Sequence, residues 1–253
     1  MNSRLLIGAG NFFFRWRNTF FPAVFVFILV ALRPSILSDS EKLDACVRWF
    51  GAALAAVGAG IRLCTIGFQY IERGGKQGKV YASFLVQGGV YRLTRNPMYL
   101  GNGLIAIGLV LYAGIWRAAL GVIAFFVFVY ASIIAAEEAY LRRTFGQAYE
   151  QYCAQVDRLF PDLRRVRRAF SEQTYDWRKA FRKDMSTLAG LLVGLTTLPV
   201  WRIFWLAGSR RAAEALPASL AGLAAISVSF VFLHHLKKNR RFFYTPQEAE
   251  TTV

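Results

Sequence analysis

The sequence predicts an all-α protein, a polytopic membrane helical bundle of about six spans that includes one tight hairpin. Three observations carry this. Of 253 residues, 55% are hydrophobic, 22 of them Phe, and only 18% are charged, which is more apolar and less charged than a soluble domain of this size. The apolar residues are gathered in runs that approach the about 20 residues a helix needs to cross about 30 Å of hydrocarbon. The basic residues fall between these runs and favour one side.

The first strong run is Thr19 to Leu32, closed by Arg33-Pro34. Leu5 to Phe14 ahead of it is apolar enough to lie at the interface. No small-x-small cleavage pattern follows the run, so a retained helix is expected rather than a signal peptide. Cys46 to Ile71 is the second span, and Gly51, Ala52, Ala55, Ala56, Ala59 and Gly60 let a neighbour pack closely. Arg62 near its end either snorkels to the headgroups or partners a buried acid or an anionic ligand. Met98 to Ala113 and Ala118 to Ala136, joined only by Tyr112 to Ala118, read as the hairpin, with Trp116 and Arg117 at the interface. A helix over Glu138 to Val156, broken near Gly146, carries Leu141, Phe145, Tyr149 and Tyr152 on one face. A weaker polar helix follows around Glu172 to Lys183. Met185 to Leu206, interrupted by Pro199, and Leu216 to Leu236 are the last spans. The basic stretch His234 to Arg241 ends them.

With six spans and both termini cytoplasmic, 23 basic residues lie on the cytoplasmic side and seven on the other, with Arg62 inside a span. That is the positive-inside bias, and it places 72–98 and 137–184 on one face. An integral membrane location follows, in the inner membrane if the source is bacterial. The net charge of +16 is thus expected to meet anionic lipid headgroups rather than nucleic acid. Cys46, Cys64 and Cys153 are odd in number and widely spaced, and His234 and His235 are the only histidines. No metal site, disulfide framework or Ser-His-Asp chemistry follows.

The hairpin brings Tyr91 to Tyr99 beside Glu137 to Arg158. Pro97 suits a first helical position and Asn96 the N-cap before it, leaving backbone N–H groups that favour an anion. Arg92 and Arg95 clamp an anion or meet headgroups. Glu137 and Glu138 point about 100° apart on a helix, so one faces the bundle and binds an ammonium, a hydroxyl or an arginine while the other is solvated. Tyr149 and Tyr152 stack on a ring or pack as core. Arg158 pairs with a glutamate or a ligand carboxylate, or is a surface cation.

Order and spacing together are more specific than these parts. Leu85, Val86, Gly89, Tyr91, Arg95, Pro97, Tyr99 and Gly101 come first. Glu137 and Glu138 follow the hairpin, then Phe145, Gly146, Tyr149, Tyr152, Val156, Arg158 and Pro161. Over roughly residues 80 to 161 the chain resembles the isoprenylcysteine carboxyl methyltransferase and phospholipid methyltransferase superfamily of integral membrane methyltransferases. The resemblance implies a cytoplasmic-side pocket for S-adenosylmethionine, with a lipid or isoprenoid acceptor entering from the bilayer. It carries cofactor contacts onto Tyr91, Arg95, Asn96, Pro97, Tyr99, Glu138, Tyr149, Tyr152 and Arg158. It also suggests three parts: N-terminal helices 1–71, a methyltransferase-like core 72–184, and a two-span extension 185–253.

Two positions depart from the family pattern: Asn96 stands for its histidine and Ser83 for a second one. Asparagine keeps a donor and an acceptor but carries no proton near neutral pH. Displacement at a sulfonium needs no base for a carboxylate or a neutral amine, so these acceptors are favoured. Arg92 or Arg62 would orient a carboxylate, and Glu137 or Glu138 would attract an amine. A membrane reductase of the sterol reductase type, using NADPH, shares part of the pattern and is the alternative enzyme. A non-catalytic lipid-binding protein is the alternative outside enzymes.

Overall fold

The computed structural model describes residues 3–68, 80–171 and 174–238. Among them the ordered elements are all helical: α1 (Ser3–Ala31), α2 (Glu41–Phe68), α3 (Pro97–Ala113), α4 (Trp116–Phe145), α5 (Gln147–Gln155), α6 (Val166–Ser171) and α7 (Trp177–Lys238). Four of them, α1, α2, α4 and α7, are long and apolar enough to cross a membrane; α3 is shorter, at 17 residues. The Glu72 to Gly78 part of the glycine-rich connection and the tail after Lys238 lie outside the described residues.

The expected interfacial stretch Leu5 to Phe14 is part of one continuous α1. Its aromatic residues pack on α4, where Phe14, Val129 and Ile133 are buried together and Phe21 stacks on Phe126 and Tyr130. α2 and α3 approach through paired glycines. A Cβ on Gly51 would meet the Gly108 carbonyl oxygen at 2.7 Å, and one on Gly58 would meet that of Gly101 at 2.5 Å. Gly58 was not among the small residues that the sequence pointed to, whereas Gly60 faces open space. At the hairpin tip, Gly114 has φ 68°, the left-handed region that favours glycine.

α7 is held against α2 by two buried ion pairs of opposite polarity. Near one end, Asp184 of α7 receives Nε of Arg62 on α2 at 2.9 Å, and Arg62 Nη2 completes the fork. Near the other, Arg202 of α7 donates to Asp44 of α2 at 2.7 Å. Eighteen positions separate Asp44 from Arg62, and eighteen separate Asp184 from Arg202, about five turns on each helix. The helices are therefore antiparallel and in register. Arg62 is only 4% exposed, so it pairs rather than snorkels. Its other contacts are Asn102 Oδ1 and Thr187 Oγ1.

The far end, opposite the polar segments, is closed around Asp44. Trp116 Nε1 donates to Asp44 Oδ1 at 2.7 Å, and Arg202 also donates to the Ser35 carbonyl at 2.9 Å. Arg33 lies over the Trp205 ring, and Trp201 Nε1 donates to the Leu29 carbonyl at 2.9 Å, which ties α7 to α1.

The last two spans form one helix with a break, and the break is not at Pro199. Proline removes the N–H that would reach the carbonyl four residues earlier. That carbonyl, on Leu195, instead accepts from Tyr112 Oη at 3.3 Å. The helix breaks at Gly208, where φ is 86°. Beyond it α7 folds back, and Ser219 Oγ donates to the Thr196 carbonyl at 3.0 Å. The polar helix expected around Glu172 to Lys183 is the beginning of α7, which runs without interruption from Trp177 into the span.

Two stability outcomes follow. Gly58→Val should destabilise the detergent-purified protein by about 1–3 kcal/mol through overpacking, while Gly60→Val on the same helix should be tolerated; thermal unfolding of the two variants checks this. Asp44→Ala leaves Arg202 buried without its carboxylate and should cost about 3–5 kcal/mol. In the same assay Asp44→Leu with Arg202→Leu should recover most of the loss.

Candidate functional site

The site is built where α4 leaves the bundle. At 30 residues, α4 is about 45 Å long, against about 30 Å of hydrocarbon, and its last turns carry Glu137 and Glu138. Gly146, with φ 50°, ends it, and α5 turns back so that Tyr149, Tyr152 and Val156 bury against Leu85, Leu141 and Phe145. The aromatic face read from spacing is thus the core of this cap.

The segment before α3 is stitched to the segment after α5 by backbone. Gly89, at φ 57°, opens a single 3₁₀ turn, Gly89–Arg92. Arg95 N–H then donates to the Asp157 carbonyl at 2.9 Å, and Asp162 N–H to the Leu93 carbonyl at 2.9 Å. Tyr152 Oη donates to the Tyr91 carbonyl at 2.7 Å. Asn96 does stand at the N-cap of α3, ahead of Pro97, but its side chain makes no cap. Its Nδ2 donates to the Arg158 carbonyl at 3.0 Å, where Thr94 Oγ1 also donates. An amide can make this bond as well as an imidazole N–H, so the residue that departs from the family pattern holds the two motif arms together. Thr94 and Asp157 were not singled out from sequence. Their part is played by or beside main-chain groups, which no side-chain pattern announces.

Both glutamates turn inward, contrary to the expectation that one would be solvated. Glu138 is 1% exposed. It accepts from Arg158 Nε at 3.0 Å and faces Arg95 Nη2 at 3.4 Å. Two guanidinium groups from different segments thus compensate one buried carboxylate. The hydrogen bond from Arg158 to Glu138 pushes the Arg158 pKa further up. Glu137 accepts instead from Tyr99 Oη at 2.6 Å. Burial, with the Glu138 charge second, raises the Tyr149 pKa far above the usual phenol value, and burial does the same for Tyr152. Both rings stay neutral.

These groups surround a cavity of about 740 Å³. Arg62, Tyr91, Arg95, Asn96, Tyr99, Glu137, Glu138, Tyr149 and Tyr152 all line it, so most of the residues chosen from sequence come together. Arg92, Pro97 and Arg158 stand behind this wall: Arg92 in the 3₁₀ turn, Pro97 inside the start of α3, and Arg158 on the outer side of Glu138. Arg62 reaches the cavity with its nitrogens already bonded to Asp184, Asn102 and Thr187. The lining also includes Phe14, Arg17 and Asn18 of α1, the irregular stretch 80–86, and Lys179 and Lys183 of α7. Of these, Ser83, Leu85 and Val86 belong to the motif read from sequence, and sequence reasoning missed the rest. Arg17, Lys179 and Lys183 entered it only as charges that orient the spans. A second cavity, of about 480 Å³, lies between the two arms of α7, and no ionisable side chain lines it.

One polar atom of the first cavity lacks a partner: Arg95 Nε is buried and makes no hydrogen bond among the described residues. Buried guanidinium nitrogens are normally satisfied, so this one fits a ligand carboxylate such as that of an amino-acid moiety. The volume lies within the about 300–1,000 Å³ usual for cofactor sites. No cluster of side chains able to hold a metal ion occurs among the described residues.

Residues 47–148 match the model of the phospholipid methyltransferase family. Comparison with curated proteins and with solved structures gives no match. The matched segment runs from α2 through the hairpin and both glutamates to the first residues of α5, and it overlaps the motif arms that carry the resemblance. Over this segment the chain is similar to the phospholipid methyltransferase family, a family of membrane methyltransferases, and the segment contributes much of the cavity wall.

Proposed function

We propose that this protein is an integral membrane methyltransferase that uses S-adenosylmethionine to methylate a lipid-like acceptor bearing an amine or a carboxylate. The cavity would face the cytoplasm, as would both termini. The observation that carries this reading is the convergence of two motif arms, separated by a hairpin, on one cavity that holds an unpartnered Arg95 Nε. The family match supports methyl transfer to a lipid-like substrate.

The cofactor, when bound, supplies a methyl group on a sulfonium centre, so the protein's task is alignment and exclusion of water. Arg95 would hold a carboxylate through the nitrogen that has no partner. Tyr149 and Tyr152, neutral and buried in the cap's core, would border the cofactor rather than stack on it. Glu138 is committed to Arg95 and Arg158 and acts by positioning them. Glu137 is the acid left for the acceptor. One of its oxygens takes the Tyr99 hydroxyl, and the other accepts from no described residue. It would attract an ammonium and take its proton, since a neutral amine attacks without further base. Of the two cations expected to orient a carboxylate acceptor, Arg62 lines the cavity and would have to exchange an existing partner, whereas Arg92 stands behind its wall.

Calorimetric titration of the detergent-purified protein with S-adenosylhomocysteine tests the reading, with NADPH as the comparison. Saturable binding of the first and none of the second is expected. Arg158→Ala should weaken it about tenfold or more, about 1.4 kcal/mol. Unchanged affinity in a folded variant would reject the site. Glu137→Gln should keep the affinity within about twofold yet lower turnover of an amine lipid by about 100-fold or more, from the lower end of the range for a positioned acid or base upward. Equal loss in both measurements would make Glu137 a cofactor ligand instead.

A further inference from the structure

The turn that follows Arg158 presents apolar side chains outward. Phe160 is 84% exposed and Leu163 71%. The turn is built rather than frayed. Asp162 Oδ1 accepts from the Arg164 N–H at 3.1 Å, Arg165 Nε reaches Asp162 Oδ2 at 3.0 Å, and Arg165 Nη1 donates to the Gln155 carbonyl at 2.8 Å. α6 comes next and is fastened to the end of α2, with the Phe170 ring 4.6 Å from that of Phe68. From Asp157 to Arg168 there are five arginines and two aspartates. Arg158 and Arg165 are taken by Glu138 and Asp162, whereas Arg164 and Arg167 are exposed. The depth of the turn is set by α3. At 17 residues α3 is about 26 Å long, less than the about 30 Å of hydrocarbon. Crossing as one arm of the hairpin, it begins no further out than the hydrocarbon boundary. The turn is bonded to that beginning: Asn96 Nδ2 donates to the Arg158 carbonyl, and Asp162 N–H to the Leu93 carbonyl. Phe160 lies between these two bonds, at the level of the headgroups, where an exposed ring flanked by arginines is stable.

We infer that Phe160, Leu163, Arg164 and Arg167 form an interfacial anchor that seats the outer wall of the site on the anionic headgroup layer of the surrounding membrane. Phe160 and Leu163 enter the boundary with the acyl chains, and the two arginines meet lipid phosphates. These lipids belong to the bilayer and are not substrates: none of the four residues lines the cavity. The anchor goes beyond the methyltransferase reading and stands without it. Its consequence is mechanical. The segment that carries Arg158 is held from inside by Glu138 and from outside by the membrane.

The test uses full-length protein in nanodiscs of equal parts dioleoyl phosphatidylcholine and dioleoyl phosphatidylglycerol. The photo-crosslinking residue p-benzoylphenylalanine replaces Phe160 or, as the comparison, Gln151, which is exposed on α5. Both positions are at the surface, so the fold is not at stake. After illumination, mass spectrometry reads what is attached. Lipid should be attached at position 160 at least about tenfold more than at position 151, as expected of a ring within the interface. Phosphatidylglycerol should exceed phosphatidylcholine among these adducts by about threefold or more. Arg164→Gln with Arg167→Gln should abolish that excess. Arg117→Gln, an exposed cation at the hairpin tip, should leave it unchanged. Absence of lipid at position 160, or as much at position 151, overturns the anchor. So does an excess of phosphatidylglycerol that survives the double variant, or one that Arg117→Gln removes equally. The same illumination in native membranes separates the remaining occupant: a second protein attached at position 160 in place of lipid would make this a protein contact and overturn the anchor. The readout involves neither cofactor nor methyl transfer, so it stands or falls separately from the methyltransferase reading.

Discussion

The two buried ion pairs between α2 and α7 are the constraint on which the rest of the structure depends. A charge within a span is tolerated only where it finds a partner. Here each helix carries one acid and one base, with the same eighteen-position spacing and opposite polarity. A shift by one turn breaks both pairs at once, and a parallel arrangement sets like charges against like. This fixes the register of α7 on α2 more firmly than apolar packing alone, which varies slowly with sliding. The paired glycines do the same between α2 and α3 by letting backbones meet at matched points. With α2 located from both sides, α3 and α7 present Asn102, Thr187 and Asp184 to one guanidinium, Arg62, at the edge of the cavity.

The cavity has its own centre in Glu138. Arg95 arrives from the segment before the hairpin and Arg158 from the segment after α5, and both meet one carboxylate. The backbone bonds from Arg95 to Asp157 and from Asp162 to Leu93 bring these segments together. The glutamate then holds them with groups that are expensive to separate once desolvated. Glu137, one residue earlier on the helix, faces Tyr99 instead. Neighbouring positions on one helix thereby divide two tasks, one holding the wall and the other turned to the contents.

Much of this was legible in the sequence. The all-α class, the hairpin, the break at Gly146 and the gathering of Tyr91, Arg95, Tyr99, Glu137, Glu138, Tyr149 and Tyr152 follow from apolar runs, glycine and ordered motif spacing. What was not legible depends on pairing between distant segments. Arg62 could be read as snorkelling because Asp184, 122 residues away, carries no mark that it faces inward. Pro199 looked like a break because the Tyr112 hydroxyl that satisfies the freed Leu195 carbonyl belongs to another helix. Gly208, the real break, stands among polar and small residues where a single glycine is unremarked. Arg17 and Lys179 were taken as orientation charges because periodicity does not tell which cations line a cavity.

The polarity of the α2–α7 pairs also bears on how the protein is made. The chain enters the membrane from its N-terminus, so α2 arrives carrying Asp44 and Arg62 long before their partners exist. Those partners come 158 and 122 residues later. Until then the helix holds an acid near one end and a base near the other, each within reach of a headgroup layer or of the insertion machinery's polar surface. Arrival of the first arm of α7 withdraws both from that exposure in one event. Assembly thus has a natural end point, and the cavity's edge at Arg62 is finished only when the penultimate membrane arm is in place.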